Sequence, residues 1–163
     1  DGTVAALREE LDANGYQQVL TMPYSAKYAS AFYGPFKAAT HSAPGESLHC
    51  THQIQSCNAR QAMREVALDI EEGADIVLVK PALPSLDIIH RVASEFRVPV
   101  AAYQVSGTYR MLLEAGASEG ESHRLMMETL TCIKRAGADI IISYYAKQAC
   151  QALRREAKRP VAH

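Results

Sequence analysis

Two lysines carry the most reactive chemistry in the sequence. Lys27 closes the stretch "YSAK", and Lys80 closes "VLVK" immediately before Pro81. Each follows a short apolar run that reads as a β-strand, which places each amine at a strand's carboxyl end. A single lysine in that position usually reaches into water. Two at matched positions on neighbouring strands, about 5 Å apart, behave differently. Each disfavours the other's charge, and partial burial adds to the effect, so at least one amine pKa is expected to fall. A neutral lysine attacks carbonyl carbon and forms a Schiff base. Ser106 in "YQVSG" and Tyr144 in "ISYY" close two further runs and offer neutral hydroxyl donors suited to a carboxylate. Together the four residues describe a pocket for a small keto acid.

The elements that must position them follow from periodicity. "EEGADIVLVK" (Glu71–Lys80) and "KRAGADIIISYY" (Lys134–Tyr145) share one pattern: a charged helix end, Gly, Ala-Asp, then a β-branched run. Gly73 and Gly137 suit the left-handed position that stops a helix. The runs after them are continuously apolar, as strands covered on both faces are. Two more strands are expected at Gln18–Tyr24 and Pro99–Val105. Amphipathic helices are expected at Val4–Ala13, Asn58–Glu72, Leu86–Phe96, Ser122–Arg135 and Gln148–Lys158. This alternation predicts an α/β fold with a parallel sheet and right-handed crossovers. Four βα units are too few to close an eight-stranded barrel. They form a small open sheet or half of a (β/α)₈ barrel, and a half-barrel leaves strand edges and an apolar face that need a partner.

Composition narrows the function classes. The 163 residues are 48% hydrophobic and 21% charged with a formal net charge of −1, the balance of a globular protein without a basic field for nucleic acid or anionic membrane. No apolar run reaches membrane-spanning length, and no basic-then-apolar leader is visible, so a cytoplasmic location with reduced cysteines is expected. No linker divides the chain, so residues 1–163 are expected to form one unit. His49, Cys50, His52 and Cys57 cluster in "HCTHQIQSC", but their spacing matches no familiar zinc pattern. Solvated thiols in a loop are the simpler reading.

The segments "YSAKYASAFYGPFKAA", "GADIVLVKP", "YQVSG" and "KRAGADIIISYY" resemble, in order, those of the porphobilinogen synthase (5-aminolaevulinate dehydratase) family. The resemblance extends to the opening "DGTVAALREELDANGY". It implies the last four βα units, the fifth to eighth, of a parallel TIM-type barrel. It also implies a lyase that condenses two 5-aminolaevulinate molecules to porphobilinogen in tetrapyrrole and haem biosynthesis. By this resemblance Lys80 holds the first substrate as a Schiff base, and Lys27 engages the second. Ser106 and Tyr144 bind the first carboxylate. Tyr33, Phe36, Tyr103 and Val105 wall the pocket, and Gln53 belongs to a lid over it. Glu65 matches a carboxylate that binds allosteric magnesium in many members. The resemblance implies zinc or magnesium as the family's metal, and a homo-oligomer or a complementary half-barrel is the expected partner.

The departures from the family pattern carry expectations of their own. Lys37 and His49 stand where two arginines clamp the second substrate's carboxylate. Lysine keeps the charge without the bidentate fork, and histidine is mostly neutral at pH 7, so second-substrate binding is expected to weaken. Thr108 stands where the family usually has glutamate. The resemblance covers the C-terminal half of the family's chain; the half with the active-site metal ligands and the N-terminal arm lies outside it. Two other readings fit the residues: a catalytically degenerate half-barrel that binds a keto acid or a partner chain, and a class I aldolase-like enzyme. The long ordered motifs argue against the aldolase.

Overall fold

The computed structural model describes residues 2–34 and 53–157. Helix α1 (Thr3–Ala13) leads to strand β1 (Ala26–Lys27) and a 3₁₀ turn at Ala31–Tyr33. Three βα passages follow: α2 (Ala59–Glu71), β2 (Val77–Lys80), α3 (Leu86–Glu95), β3 (Val100–Gln104), α4 (Ser106–Ala115), α5 (Glu119–Ala136), β4 (Ile140–Ser143) and α6 (Ala146–Ala157). The four strands are parallel and lie in the order β1-β2-β3-β4. This is an α/β fold of four βα units, as the alternation predicts.

Strand register sorts the side chains into two faces. Val79 pairs with Ala26 on one side and Ala102 on the other, and Ala102 pairs with Ile141. These residues point to the helices, because successive side chains alternate across a strand. They form one cluster with Ala62, Met63 and Val66 of α2, Ile88, Ile89 and Val92 of α3, and Ile133 of α5. The opposite face carries Lys27 in register with Lys80, then Tyr103 in register with Ile142. The amines therefore project from the face that the helices leave open. Ile89 is fully buried in the helix-facing core, so Ile89→Ala is expected to lower unfolding free energy by about 2–5 kcal/mol. A urea titration measures this; a midpoint within error of the parent would contradict the packing.

Helix boundaries have local causes. Asn58 accepts a hydrogen bond from the Gln61 N–H at 3.0 Å and starts α2. Ser118 accepts from the Glu121 N–H, while the Glu121 carboxylate accepts from the Ala117 N–H, so α5 begins at Glu119 rather than Ser122. Gly73 and Gly137 adopt φ of 97° and 120°, as their place after helix ends requires. The orphan N–H groups of α1 find a remote acceptor. Gly2, Val4 and Ala5 donate to the Glu72 carboxylate at 2.7, 3.1 and 3.3 Å, which holds that carboxyl below its usual range.

Three expectations are corrected. Residues 18–24 form no strand: Pro23 removes a ladder donor, and Val19, Leu20, Met22 and Tyr24 are 43–66% exposed. Only Ala26 and Lys27 pair with β2, while Thr21 is held by Asp75 through its N–H (2.7 Å) and hydroxyl (3.1 Å). No helix is expected between Val105 and Ser122, yet Ser106–Ala115 forms helix α4. Strand β4 is covered on one face only, with Ile140 39% exposed, because no described element lies beyond it.

Candidate active site

The site is built where β1, β2 and β3 end. Tyr28 N–H donates to the Lys80 carbonyl at 2.9 Å, and Ile54 pairs with the same stretch, its N–H donating to the Lys27 carbonyl at 2.8 Å. Both residues flanking the lysines are thus tied into an extension of the sheet. Lys80 precedes a cis bond to Pro81. The Tyr33 hydroxyl donates to the Tyr28 carbonyl at 2.8 Å and reaches the Lys80 carbonyl at 3.4 Å. This pins the 3₁₀ turn against the end of β2.

Rings surround the Lys80 amine. Nζ lies 4.5 Å from the Tyr103 ring centroid, 4.7 Å from Tyr24 and 5.4 Å from Tyr33. Burial lowers the Lys80 pKa, and the Lys27 ammonium lowers it further. Lys27 Nζ faces one ring in this set, Tyr24, at 5.7 Å. Burial raises the Tyr33 phenol well above its ordinary range, with Tyr24 adding to it. Tyr103 is raised by burial and by the neighbouring Tyr144 hydroxyl. The Tyr33 and Tyr103 phenols therefore stay un-ionised near neutral pH and present neutral π-faces beside a partly buried amine.

The first carboxylate's expected hydroxyls lie on the adjoining elements. Ser106 is the first residue of α4, two residues past the strand end, where helix N–H groups favour an anion. Its Oγ is buried with no hydrogen-bond partner among the described residues. Tyr144 follows β4, 46% exposed, and packs at 5.6 Å against the Tyr109 ring. Its turn is anchored from beneath: the Tyr145 N–H donates to Ser143 Oγ at 3.0 Å, and Ser143 Oγ bonds to the Oε1 of fully buried Gln104. Val105 is buried at the junction of β3 and α4. Thr108 is also fully buried, and its Oγ1 has no partner among the described residues.

The turn bearing Tyr33 and the start of α4 touch at Gly107. A Cβ there would lie 2.3 Å from the Phe32 carbonyl oxygen and 2.8 Å from the Phe32 Cα. Close backbone approach is what glycine permits at this point.

Gln53 and Glu65 lie together in a second cleft of about 440 Å³, lined also by Lys27, Ser25, Gln61 and Asp69. Glu65 and Asp69 are one helical turn apart on α2. Burial raises the Asp69 carboxyl, while the Ser25 hydroxyl opposes the shift. Magnesium typically takes one or two carboxylates and keeps several waters, so these oxygen donors fit a water-rich ion. Among the described residues, no group of three or more His, Cys, Asp or Glu side chains could hold a metal. Phe36, Lys37 and His49, and with them Cys50 and His52, lie outside the described residues; Cys57 is an exposed free thiol.

The geometry thus gathers Lys27, Lys80, Tyr33 and Tyr103, with Tyr144 beside Tyr103, and puts Gln53 in a cleft that Lys27 also lines. It adds Tyr24, which strand alternation does not find. Tyr24 and Lys27 are three apart, so a regular strand would turn them to opposite faces. The irregular backbone before β1 brings them to the same side.

Comparison with known proteins identifies the family to which these four βα units belong. The sequence model of the delta-aminolevulinic acid dehydratase family matches residues 1–152. A delta-aminolevulinic acid dehydratase of Methanothermus sociabilis is 53% identical over 148 residues, covering 91% of this chain and 46% of its own. The Synechococcus elongatus protein of that name is 50% identical over 153 residues, covering 93% and 47%. A chloroplastic relative from Glycine max is 51% identical over 154 residues, covering 94% and 37%. The crystal structure of the Toxoplasma gondii ME49 enzyme (porphobilinogen synthase), in complex with its reaction product porphobilinogen, superposes with a TM-score of 0.88 at 39% identity. It covers all of this chain and 48% of the Toxoplasma chain. The chain therefore spans about half the length or less of these relatives. Two amines in register among tyrosines, on four βα units whose order and sequence these proteins share, place the chain in the delta-aminolevulinic acid dehydratase family.

Proposed function

We propose that this chain supplies the Schiff-base half of a porphobilinogen synthase, a lyase condensing two 5-aminolaevulinate molecules to porphobilinogen for tetrapyrrole and haem biosynthesis. The observation that carries the proposal is the registered pair Lys27–Lys80, with the Lys80 amine lowered by burial and by its neighbour. Neutral Lys80 attacks the keto carbon of the first substrate. Ser106 and Tyr144 donate hydroxyl hydrogen bonds to its carboxylate. Tyr33, Tyr103 and Val105 exclude water around the nitrogen, a role the family resemblance extends to Phe36, outside the described residues. Lys27 engages the second substrate, Gln53 belongs to the cover, and Lys37 and His49, outside the described residues, occupy the sequence positions of the family's carboxylate-clamping arginines. Glu65, with Asp69, would hold an allosteric magnesium; its double charge would favour the ionised carboxylates there. The active-site zinc or magnesium expected for the family belongs to the part of the relatives that this chain does not match.

Among the described residues no strand lies beyond β4, and this edge of a one-sided sheet supports assembly with a complementary half-barrel or another copy. Among the described residues no helix is long and apolar enough to cross a membrane. A cytoplasmic site is proposed, although the plant relatives are named chloroplastic. The test is reductive trapping with 4-oxopentanoate and borohydride, read by peptide mass spectrometry. One adduct on the Lys80 peptide, absent from Lys80→Ala, is expected. Adducts spread evenly over exposed lysines would overturn the assignment.

A further inference from the structure

We infer that Tyr24 is a catalytic residue: its ring, facing both amines, stabilises the iminium formed on Lys80. The inference rests on the Schiff-base reading above and goes beyond it by adding a residue.

Imine formation begins with neutral Lys80 giving its lone pair to the carbonyl carbon. One of its two N–H protons and one proton from solvent leave with the carbonyl oxygen as water. The C=N bond that remains carries one N–H and a positive charge. An ammonium has three N–H groups that need acceptors, whereas an iminium has one. Moving the iminium out of water therefore sacrifices fewer hydrogen bonds, while the attraction of a cation to a π-face persists. A set of rings favours the iminium over the ammonium on this ground.

Three rings lie within 5.4 Å of Lys80 Nζ. Two of them are fixed by other work. Tyr33 is buried and its hydroxyl holds backbone carbonyls, and Tyr103 lies in the sheet beside Tyr144. Tyr24 differs. It stands outside the regular strand, is 52% exposed, and faces Lys27 as well as Lys80. A half-exposed tyrosine contributes little to the core, so its place over two amines is better explained by the charge they carry. Its position also lets one ring serve whichever lysine holds the cation.

The experiment is equilibrium trapping of 4-oxopentanoate by the purified protein, with phenylalanine and its mono- to tetrafluorinated analogues placed at position 24. Fluorination drains the π-face while nearly preserving shape. Tyr24→Phe is expected to recover most of the adduct. Occupancy at subsaturating 4-oxopentanoate should then fall progressively with fluorine count, by about two- to fivefold across the series. Tyr24→Leu should match the most fluorinated variant. A flat series with strong trapping throughout would overturn the role of Tyr24 and leave the Schiff-base reading standing. Failure of the parent protein to trap any adduct would overturn both.

Discussion

Gly107→Ala is expected to lower adduct formation at Lys80 about a hundredfold while leaving the chain folded. The added Cβ would meet the Phe32 carbonyl oxygen at 2.3 Å and two further backbone atoms at 2.8 Å. Backbone cannot rotate away as a long side chain can, so either α4 or the Ala31–Tyr33 turn must retreat, by about 1 Å to restore ordinary contact. Ser106 opens α4, and Tyr33 lies in the turn, with its ring 5.4 Å from Lys80 Nζ. Retreat in either direction therefore moves a pocket residue. Misplacement of about 1 Å can cost about a hundredfold in a positioned reaction. Alanine is a better helix former than glycine, so α4 itself gains. Gly120, whose Cβ would meet nothing within 4 Å, supplies the control: Gly120→Ala should trap as the parent does. Single-turnover trapping with circular dichroism separates the cases. A Gly107→Ala protein that folds and traps at the parent rate would mean that the contact does not set the pocket.

Much of this arrangement is written locally. The runs ending at Lys80 and Ser143 follow glycines that stop helices, and their β-branched residues leave no helical alternative. Both strands appear where periodicity puts them. The lysine pairing is also legible, since both amines end strands that follow one another in the chain. Two features resist such reading because they depend on neighbours. Residues 18–24 look like a strand by composition, yet Pro23 removes a donor and, among the described residues, only Thr21 is bonded across, to Asp75 and Ile76. Helix α4 buries Leu112 while Met111 and Leu113 stay over 40% exposed, so its amphipathic stripe is too narrow to stand out in the sequence. Tyr24 was hidden for the first of these reasons. The meeting of Gly107 with Phe32 joins segments some 75 residues apart in sequence, and nothing local announces it.

Lys27 should act on Lys80 through its charge as well as through any bond it forms, and the two roles separate by substitution. Lys80 is lowered first by burial and second by the Lys27 ammonium. Lys27→Met removes the second cause and keeps the first, so the Lys80 pKa should rise only part of the way to its ordinary value. The fraction of neutral amine grows as pH climbs through the pKa. A raised pKa therefore moves the rising limb of adduct formation to higher pH. At a fixed pH below the pKa, that is a loss of neutral Lys80 and a slower trapping rate. Lys27→Arg keeps the charge and removes the nucleophile, so its pH profile for trapping at Lys80 should overlay that of the parent. The measurement is the initial rate of borohydride-trapped 4-oxopentanoate on the Lys80 peptide between pH 6 and 10. High salt should leave the contrast largely intact, because both amines are partly buried and a buried pair is screened less than a surface one. Coincident profiles for Lys27→Met and the parent would assign the whole shift to burial, and the register of the two lysines would then matter for geometry alone.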